Sequence, residues 1–436
     1  MPRTLEQWLA HQSQGHPHSI DLGLDRLVEL LARLQWRQPS VPVITVAGTN
    51  GKGSVTAYCT AILSAAGYRV GTFTSPHLRD YRERIRLPGR LVTPDELIAA
   101  FERIEAACAG TPPLSLTFFE YNAAAALLTF EAAMLDAWVL EVGLGGRLDA
   151  VNVVDATVAV VVSIGLDHQE YLGTTLEAIA GEKAGVFRSG RTAVLGSRGM
   201  PANLMMLAEA VRARPKRLGV EYDYTLSARA WDYRGDRWNL SGLPPPALAG
   251  ATQYANAAAA LAALEELGTV LPAVTPASLA EGLACAQLPG RFQGVAPGPG
   301  QARWILDVAH NPDAARVLAD NLRASPVAGR SLAVCGILAD KDAAGIAAVL
   351  RDCFDAWWLA SLDGERGMTA AGLRQRIAGE VTVPLILAAD IAAACAAAFA
   401  AAGADDRIVV FGSFHSVGPA LDWLDARGLA VPPGAR

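Results

Sequence analysis

Val43-Ile44-Thr45-Val46-Ala47-Gly48-Thr49-Asn50-Gly51-Lys52-Gly53-Ser54 is the stretch that decides the fold. Its first five residues are apolar or β-branched, as in a buried strand, and Ser54-Val55-Thr56-Ala57-Tyr58-Cys59 then opens a helix. A glycine-rich turn between strand and helix lets backbone N–H groups approach phosphate oxygens, and the helix start adds the positive end of its dipole. The common spacing G-x-x-x-x-G-K-[ST] is not met, because Val46 occupies the first glycine position and Gly53 separates Lys52 from Ser54. The surrounding strand and helix still predict a phosphate cradle. The plainer alternative is a glycine-rich turn with a stray lysine.

Outward from this loop the chain alternates apolar strands with helices, the pattern of an α/β fold with a mostly parallel sheet covered on both faces. Strands are predicted at Val43 to Ala47, Arg69 to Thr74, Ala137 to Glu141, Thr157 to Ser163 and Thr192 to Leu195. Gly219 to Leu243 changes character: Tyr222, Tyr224 and Leu226 alternate with polar residues, and Tyr233 to Trp238 reads as a tight turn in a small antiparallel sheet. An alanine-rich helix follows from about Tyr254 to Leu267. Leu288-Pro289-Gly290-Arg291 and Ala296-Pro297-Gly298-Pro299-Gly300 form the expected linker. Alternation then restarts, with strands at Trp304 to Asp307, Ser331 to Cys335 and Arg407 to Phe411 and a helix at Pro312 to Leu322. We therefore expect a nucleotide-binding domain over 1–290 and a smaller α/β domain over 291–436.

Composition narrows the function classes. Apolar residues make up 52% of the 436 and charged residues 18%, which excludes a disordered chain. Basic and acidic residues number 37 and 43, a net charge of −6 without a basic block, so neither nucleic acid nor an anionic membrane is an expected partner. The six cysteines are scattered without metal or disulfide spacing. Apolar runs such as Ile391 to Ala402 fall short of the roughly 18 residues a membrane span needs, and the N-terminus lacks a basic-then-apolar signal. A cytoplasmic enzyme is the expectation.

Phosphate bound at Lys52 calls for a hard divalent cation with oxygen ligands. Asp136-Ala137-Trp138-Val139-Leu140-Glu141 ends a buried strand on a carboxylate, and three glycines lie within residues 143–146 just after it. Glu141 is thus a metal-ligand candidate, or else a strand-end residue facing solvent. Of seven histidines, His77, His168, His310 and His415 follow predicted strands, the edge where α/β folds build sites. His168 is the strongest metal candidate among them. Only four of the 37 basic residues are lysines, which directs attention to chemistry that arginine cannot perform. Lys183, if buried and neutral, could take up carbon dioxide as an anionic carbamate; the alternative is a surface Glu182–Lys183 pair. Lys341 follows a second-domain strand, and Lys216, beside Arg214 and Arg217, reads as solvated. Asp307 to Pro312 and Gly412 to His415 end two strands of the second domain and could touch nucleotide or an anionic substrate. Turn and cap chemistry would also explain Asn311-Pro312.

These motifs together resemble the folylpolyglutamate synthase and dihydrofolate synthase family, relatives of the Mur ligases. The resemblance runs through Ile20 to Leu24, Gly48 to Ser54, Ser75 to Leu78, Leu116 to Glu120, Glu141 to Asp149, Leu166 to His168, Glu182 to Gly185, Leu288 to Phe292, Asp307 to Pro312, Asp340 to Asp342 and Gly412 to His415. It implies a P-loop Mur-ligase-like ATPase domain with a Rossmann-like α/β C-terminal domain. It further implies that Thr49, Asn50, Gly51, Lys52, Gly53 and Ser54 hold the phosphates of ATP, and that Asn256, Arg291 and Asp307 complete the nucleotide site. Ser75 and Glu141 would ligate one Mg²⁺ and His168 a second. Lys183 matches a carbamylated lysine. Thr117, Phe118, Phe119, Glu120, Leu148, Asp149 and Ala150 would bind the pterin, with Ser413, His415 and His310 serving substrate or catalysis from the second domain. The segment Gln14-Gly15-His16-Pro17, expected to add to the pterin pocket, departs from the family's pattern.

The implied reaction is phosphorylation of a substrate carboxylate by ATP, followed by attack of the L-glutamate amine on the acyl phosphate. The expected enzyme is a monomer adding glutamate to 7,8-dihydropteroate and to tetrahydrofolates, with closure of the second domain bringing glutamate to the acyl phosphate. Alternatives are a polyglutamylase alone, another Mur-like ligase, a P-loop kinase or a nucleotide-binding module without turnover. With 47 residues before Gly48, a full nucleotide-sugar domain of the Mur type is not expected there.

Overall fold

Two parallel-dominated sheets organise the chain. The computed structural model describes residues 3–14, 16, 20–227, 229–295, 298 and 300–429. The chain divides into a first unit, the described residues through Ala247 with Tyr254–Ala286, and a second unit, Leu248–Gln253 with the described residues from Gln287 onward.

In the first unit β1 (Val43–Ala47) is buried at every residue, because parallel neighbours flank it and helices cover both faces. The other strands are β2 (Val70–Phe73), β3 (Ile85–Leu87), β4 (Arg90–Leu91), β5 (Ala137–Glu141), β6 (Val158–Val161), β7 (Thr192–Leu195) and β8 (Arg214–Arg217), in the order β4-β3-β2-β5-β1-β6-β7-β8. The chain leaves β1 toward β2 on one side, and β6 lies on the other. The carboxyl end of β1 is therefore a topological switch point, where such sheets open a crevice. Antiparallel β3 and β4 and the edge strand β8 are missing from the sequence expectation. β8 reads Arg-Pro-Lys-Arg, which has no apolar alternation to reveal it and a proline suited to an edge. The helices Asp25–Arg33, Pro94–Cys108 and Phe118–Ala132 build one face of the core around Leu27, Leu30, Leu97, Phe101 and Leu128.

The expected small sheet forms from β9 (Asp223–Leu226), β10 (Trp231–Arg234) and β11 (Asn239–Leu243), with Arg234 opposite Asn239 across the turn. Trp231 and Tyr233 point inward and are buried. Lys216 corrects the sequence reading. It is not merely solvated: its side chain is largely covered, and its ammonium pairs with Asp236 and, at 3.3 Å, with Glu266. Glu266 also meets Arg237 at 3.0 Å, so the lysine joins β8 to the hairpin turn and to the Thr252–Leu267 helix.

The second unit carries β12 (Gln293–Val295), β13 (Arg303–Leu306), β14 (Ser331–Cys335), β15 (Ala356–Ala360), β16 (Leu385–Ala388) and β17 (Arg407–Phe411), in the order β12-β13-β17-β14-β15-β16. β12 is antiparallel and lies inside the Pro/Gly-rich stretch expected to be a linker; three residues were too few to register as a strand. Ala296, Pro297 and Pro299 of that stretch lie outside the described residues. Its core centres on Phe411, with Phe354 stacked on it at 5.5 Å and Trp357 edge-on at 5.4 Å.

Candidate active site

The register of the first sheet assembles the site. Val46 pairs with Glu141 and Ala47 with Val161, so the loop after β1 emerges between the ends of β5 and β6. That loop is tied to the turn after β6: Thr49 N donates to Ser163 O at 2.8 Å, Asn50 N to Ser163 Oγ at 2.9 Å, and Thr49 Oγ1 to Gly165 O at 3.1 Å. Gly51 enters the Lys52–Ala65 helix at φ 86°, a conformation costly for other residues, and brings no side-chain cap. A Cβ there would stand 2.8 Å from Asn256 Oδ1 and from Val162 Cγ1, which shows how closely Asn256 approaches the loop.

Two of the four lysines converge on one carbonyl. Lys52 Nζ donates to Gly48 O at 2.9 Å and to Thr49 O at 3.2 Å, and Lys183 Nζ donates to the same Gly48 O at 3.0 Å. Burial, reinforced by the Lys52 charge, pulls the Lys183 ammonium down to about 7 against the opposing pull of Asp167 and Asp149. The surface Glu–Lys pair is thereby excluded: Lys183 is buried, and Glu182 pairs instead with Arg147 at 2.7 Å. Lys183 is held close by the glycine turn after β5. A Cβ on Gly146 would lie 2.9 Å from Glu182 O and 3.1 Å from Lys183 Cα.

Glu141 is buried rather than solvent-facing, and its Oε2 accepts from Ser75 N at 3.3 Å. The metal candidates Ser75 and Glu141 thus lie together at adjacent strand ends. His168 sits half-buried after β6 at φ 51°, its N–H donating to Asp167 Oδ1 at 2.9 Å. Among the described residues no three His, Cys, Asp or Glu side chains gather as a ligand set. A buried carboxylate beside a serine suits magnesium, which takes few protein oxygens and keeps the rest for nucleotide and water.

The pterin candidates surround the same edge. Asp149 is buried, accepts from Leu144 N at 2.8 Å and Val151 N at 3.1 Å, and burial pushes its carboxyl up to about 6 despite these donors and Lys52. Ala150 is buried beside it, and Leu148 is half-buried. Thr117 and Glu120 form a reciprocal capping box on the Phe118–Ala132 helix. Phe119 packs 5.9 Å from Phe73, and Phe118 lies 6.0 Å from Tyr81.

Two arginines escaped the sequence reading. Arg26 donates through Nε to both Glu120 oxygens, at 3.0 and 3.2 Å, and through Nη1 to Asp21 at 2.6 Å. Buried Arg84 lies over Phe118 at 5.5 Å and donates to His77 Nδ1 at 2.8 Å, so that nitrogen is an acceptor. Arg84 ends the Tyr81–Arg84 helical turn just before β3, and with β3 unrecognised in the sequence nothing set it apart from Arg82 and Arg86 on either side. His16 lies 3.6 Å from Asp21, whereas Gly15 and Pro17 of the expected N-terminal pocket lie outside the described residues.

In the second unit, β17 runs between β13 and β14, which gathers three strand ends. Half-buried Asp307 accepts from Phe292 N at 2.9 Å and Ala309 N at 2.8 Å; burial raises its carboxyl above the usual range, against Arg291 and these donors. Arg291 lies over the Phe414 ring at 5.4 Å. His310 Nδ1 contacts Val308 O at 2.8 Å, leaving Nε2 as the ring's other polar atom. Ser413 is buried, its hydroxyl 3.0 Å from that of Ser416, which donates to Gly336 O at 2.7 Å. His415 is pushed down by burial and by Arg366. Lys341 is buried, 3.9 Å from Asp340.

Known proteins place this architecture. Residues 46–198 match the Mur ligase middle domain and residues 290–414 the Mur ligase, glutamate ligase domain. The dihydrofolate synthase/folylpolyglutamate synthase of Escherichia coli K12 is 44% identical over 423 residues, covering 97% of this chain and 96% of its own. Escherichia coli FolC in complex with DHPP and ADP superposes with a TM-score of 0.91 at 43% identity, covering 98% of this chain and 99% of that one. The bifunctional enzyme of Yersinia pestis complexed with AMPPNP and Mn gives 0.87 at 40% identity, covering 97% and 98%. The chain belongs to the dihydrofolate synthase/folylpolyglutamate synthase family of Mur ligases, and is an ADP-forming ligase.

Proposed function

We propose that this chain joins L-glutamate to 7,8-dihydropteroate and to tetrahydrofolates at the expense of ATP, acting as a monomer in the cytoplasm. The observation that carries the reading is the meeting of Lys52 and Lys183 on the Gly48 carbonyl, where β1 ends beside Glu141. A compact ammonium on a glycine-rich loop is suited to the γ-phosphate. A neutral buried amine is suited to carbon dioxide: its lone pair forms the N–C bond, a proton leaves, and an anionic carbamate results.

The nucleotide is assigned to Thr49, Asn50, Gly51, Lys52, Gly53, Ser54 and Asn256 in the first unit, and to Arg291 and Asp307 in the second. Ser75 and Glu141 would hold one Mg²⁺ and His168 another, and the cations would offset charge on the phosphates. The pterin falls to Thr117 to Glu120 and Leu148 to Ala150. Arg26 holds Glu120, keeping the helix start that carries Phe118 and Phe119 in place. His310, Ser413 and His415 are assigned to the glutamate side.

A substrate carboxylate oxygen attacks the γ-phosphorus, ADP leaves, and Lys52 stays with the transferring phosphoryl group, where charge builds. The glutamate amine then attacks the acyl carbon, loses a proton, and inorganic phosphate departs. The acyl phosphate lives only if water is kept away, which favours buried polar groups such as Asp149 over solvated ones.

Glutamate-dependent ADP release, measured with dihydropteroate and separately with tetrahydrofolate, tests the proposal. Both substrates are expected to support turnover. Activity with tetrahydrofolate alone would remove the dihydropteroate half, and ADP release indifferent to glutamate would return the chain to the kinase or NTPase alternatives.

A further inference from the structure

Phe292 is an aromatic residue in a conformation that suits glycine. Its φ is +43°, and it follows Gly290 at φ +72° with one residue between them. A side chain held there persists only where its surroundings fix it, and such positions gather at functional sites. Here one carboxylate does the fixing. Asp307 Oδ2 accepts from Phe292 N at 2.9 Å while Oδ1 accepts from Ala309 N at 2.8 Å, so a single side chain spans the turn and the end of β13. Two further bonds close the turn: Gly290 N donates to Gln293 Oε1, and Val308 N to Gly290 O, each at 2.9 Å. The Phe292 ring packs against the core of the second unit, which explains why glycine does not stand in its place. Arg291, between the two left-handed residues, is turned onto the Phe414 ring at 5.4 Å.

We propose that Asp307 serves the nucleotide site assigned above as a positioning residue: it clamps the left-handed Phe292 backbone and thereby orients the Arg291 guanidinium for the nucleotide. The second half rests on the assignment of Arg291 to ATP made above; the first half does not. A group acting directly on the reactants would be sensitive to its own chemistry alone. A clamp is sensitive to the strain it opposes.

Hydrogen exchange on the intact chain, combined with a double-mutant cycle, separates these roles. Asp307→Asn keeps one acceptor oxygen and sets an amide NH2, a donor, against the other backbone N–H. It is expected to speed exchange at the Phe292 amide by about tenfold or more, the loss of one charge-assisted hydrogen bond, while the strands of the second unit stay protected. Kinetically it should raise KM for ATP by about tenfold with a smaller change in kcat. In a Phe292→Gly background, where positive φ needs no clamp, the same substitution should raise KM less. Unchanged exchange at Phe292 overturns the clamp whatever the kinetics. Loss confined to kcat and equal in both backgrounds also overturns it, by placing Asp307 among the reacting groups. If Arg291→Ala leaves KM for ATP unaltered, the nucleotide assignment of Arg291 fails, and the exchange measurement alone decides the clamp.

Discussion

The turn after β1 and the turn after β13 occupy equivalent places, each leading from a sheet's carboxyl edge into a helix, yet they are built with opposite electrostatics. The first ends on Gly51, left-handed and without a side-chain cap, and draws two lysines to its carbonyl oxygens. The second ends on extended Asn311, whose side chain accepts from Ala314 N at 2.8 Å, with Pro312 in the helix's first turn and Asp307 accepting backbone amides. One turn brings cationic charge to a helix start that no side chain caps. The other satisfies its own donors and leaves neighbouring side chains to be presented. The same βα geometry thus gives an uncapped helix start lined by cations in one place and a turn that satisfies its own donors in the other, and the choice lies in the cap residue and in the sign of the nearest charge.

Removing the charge from the first turn is the strongest way to break this comparison. Lys52→Ala is expected to reduce kcat for ADP formation by about 10²–10³-fold or more, the scale for deleting one donor aimed at developing charge, with circular dichroism unchanged. Turnover within tenfold of the native chain would show that the loop needs no lysine.

Lys183→Ala should follow, at about 10–100-fold, as expected for a group that supports a metal or phosphate site. Carbon dioxide and pH sharpen this test. With its amine lowered to about 7, Lys183 is half neutral near pH 7 and about tenfold less neutral for each unit below. Carbamate uptake, read as a ¹³C-bicarbonate-derived resonance, should therefore fall as pH drops from 7 to 5 and be absent in Lys183→Ala. The linkage sign follows from the lowered value: the unfolded chain binds more protons between about pH 7 and 10.5, so the folded state gains stability as pH rises through that window.

Gly51→Ala is the next smaller effect. A Cβ would meet Asn256 and Val162 at 2.8 Å and would hold a φ of 86°. We expect a loss of about 1–2 kcal/mol from the left-handed backbone, with KM for ATP raised about tenfold, checked by thermal melts and ATP titration.

The legible part of this molecule was its strands and the loops at their ends. β14 and β17 coincide with their expected bounds because short, wholly buried parallel strands read as unbroken apolar runs. Lys52, Glu141 and Lys183 were legible because each stands out chemically from its apolar or arginine-rich surroundings. What stayed hidden depends on partners distant in sequence. Arg26 gains meaning only from Glu120, 94 residues away, and Lys216 only from the hairpin turn and the Glu266 helix that fold over it. Asp307 was read as a nucleotide contact, since a carboxylate after a strand invites that reading; its bond to Phe292, 15 residues away, was not legible because it exists only once the turn is closed.

The smallest predicted effect probes the self-sufficient turn. Asn311→Ala removes the side-chain acceptor of Ala314 N and should cost about 1 kcal/mol, the usual worth of such a cap. Asn311→Asp keeps an acceptor and adds a negative charge at the positive end of the Pro312–Ala324 helix, so it should match or slightly exceed native stability. Because the chain has two units, a global melt averages over both, and exchange at the Ala314 amide reports the cap more directly. Faster exchange in the alanine variant with native-like protection in the aspartate variant would establish that this turn tolerates a negative charge on its own cap residue, where the Gly51 turn carries no side chain. Equal protection in all three would mean that Pro312 and the Asp307 contacts hold the helix start without Asn311, which would confine the contrast between the two turns to their charges.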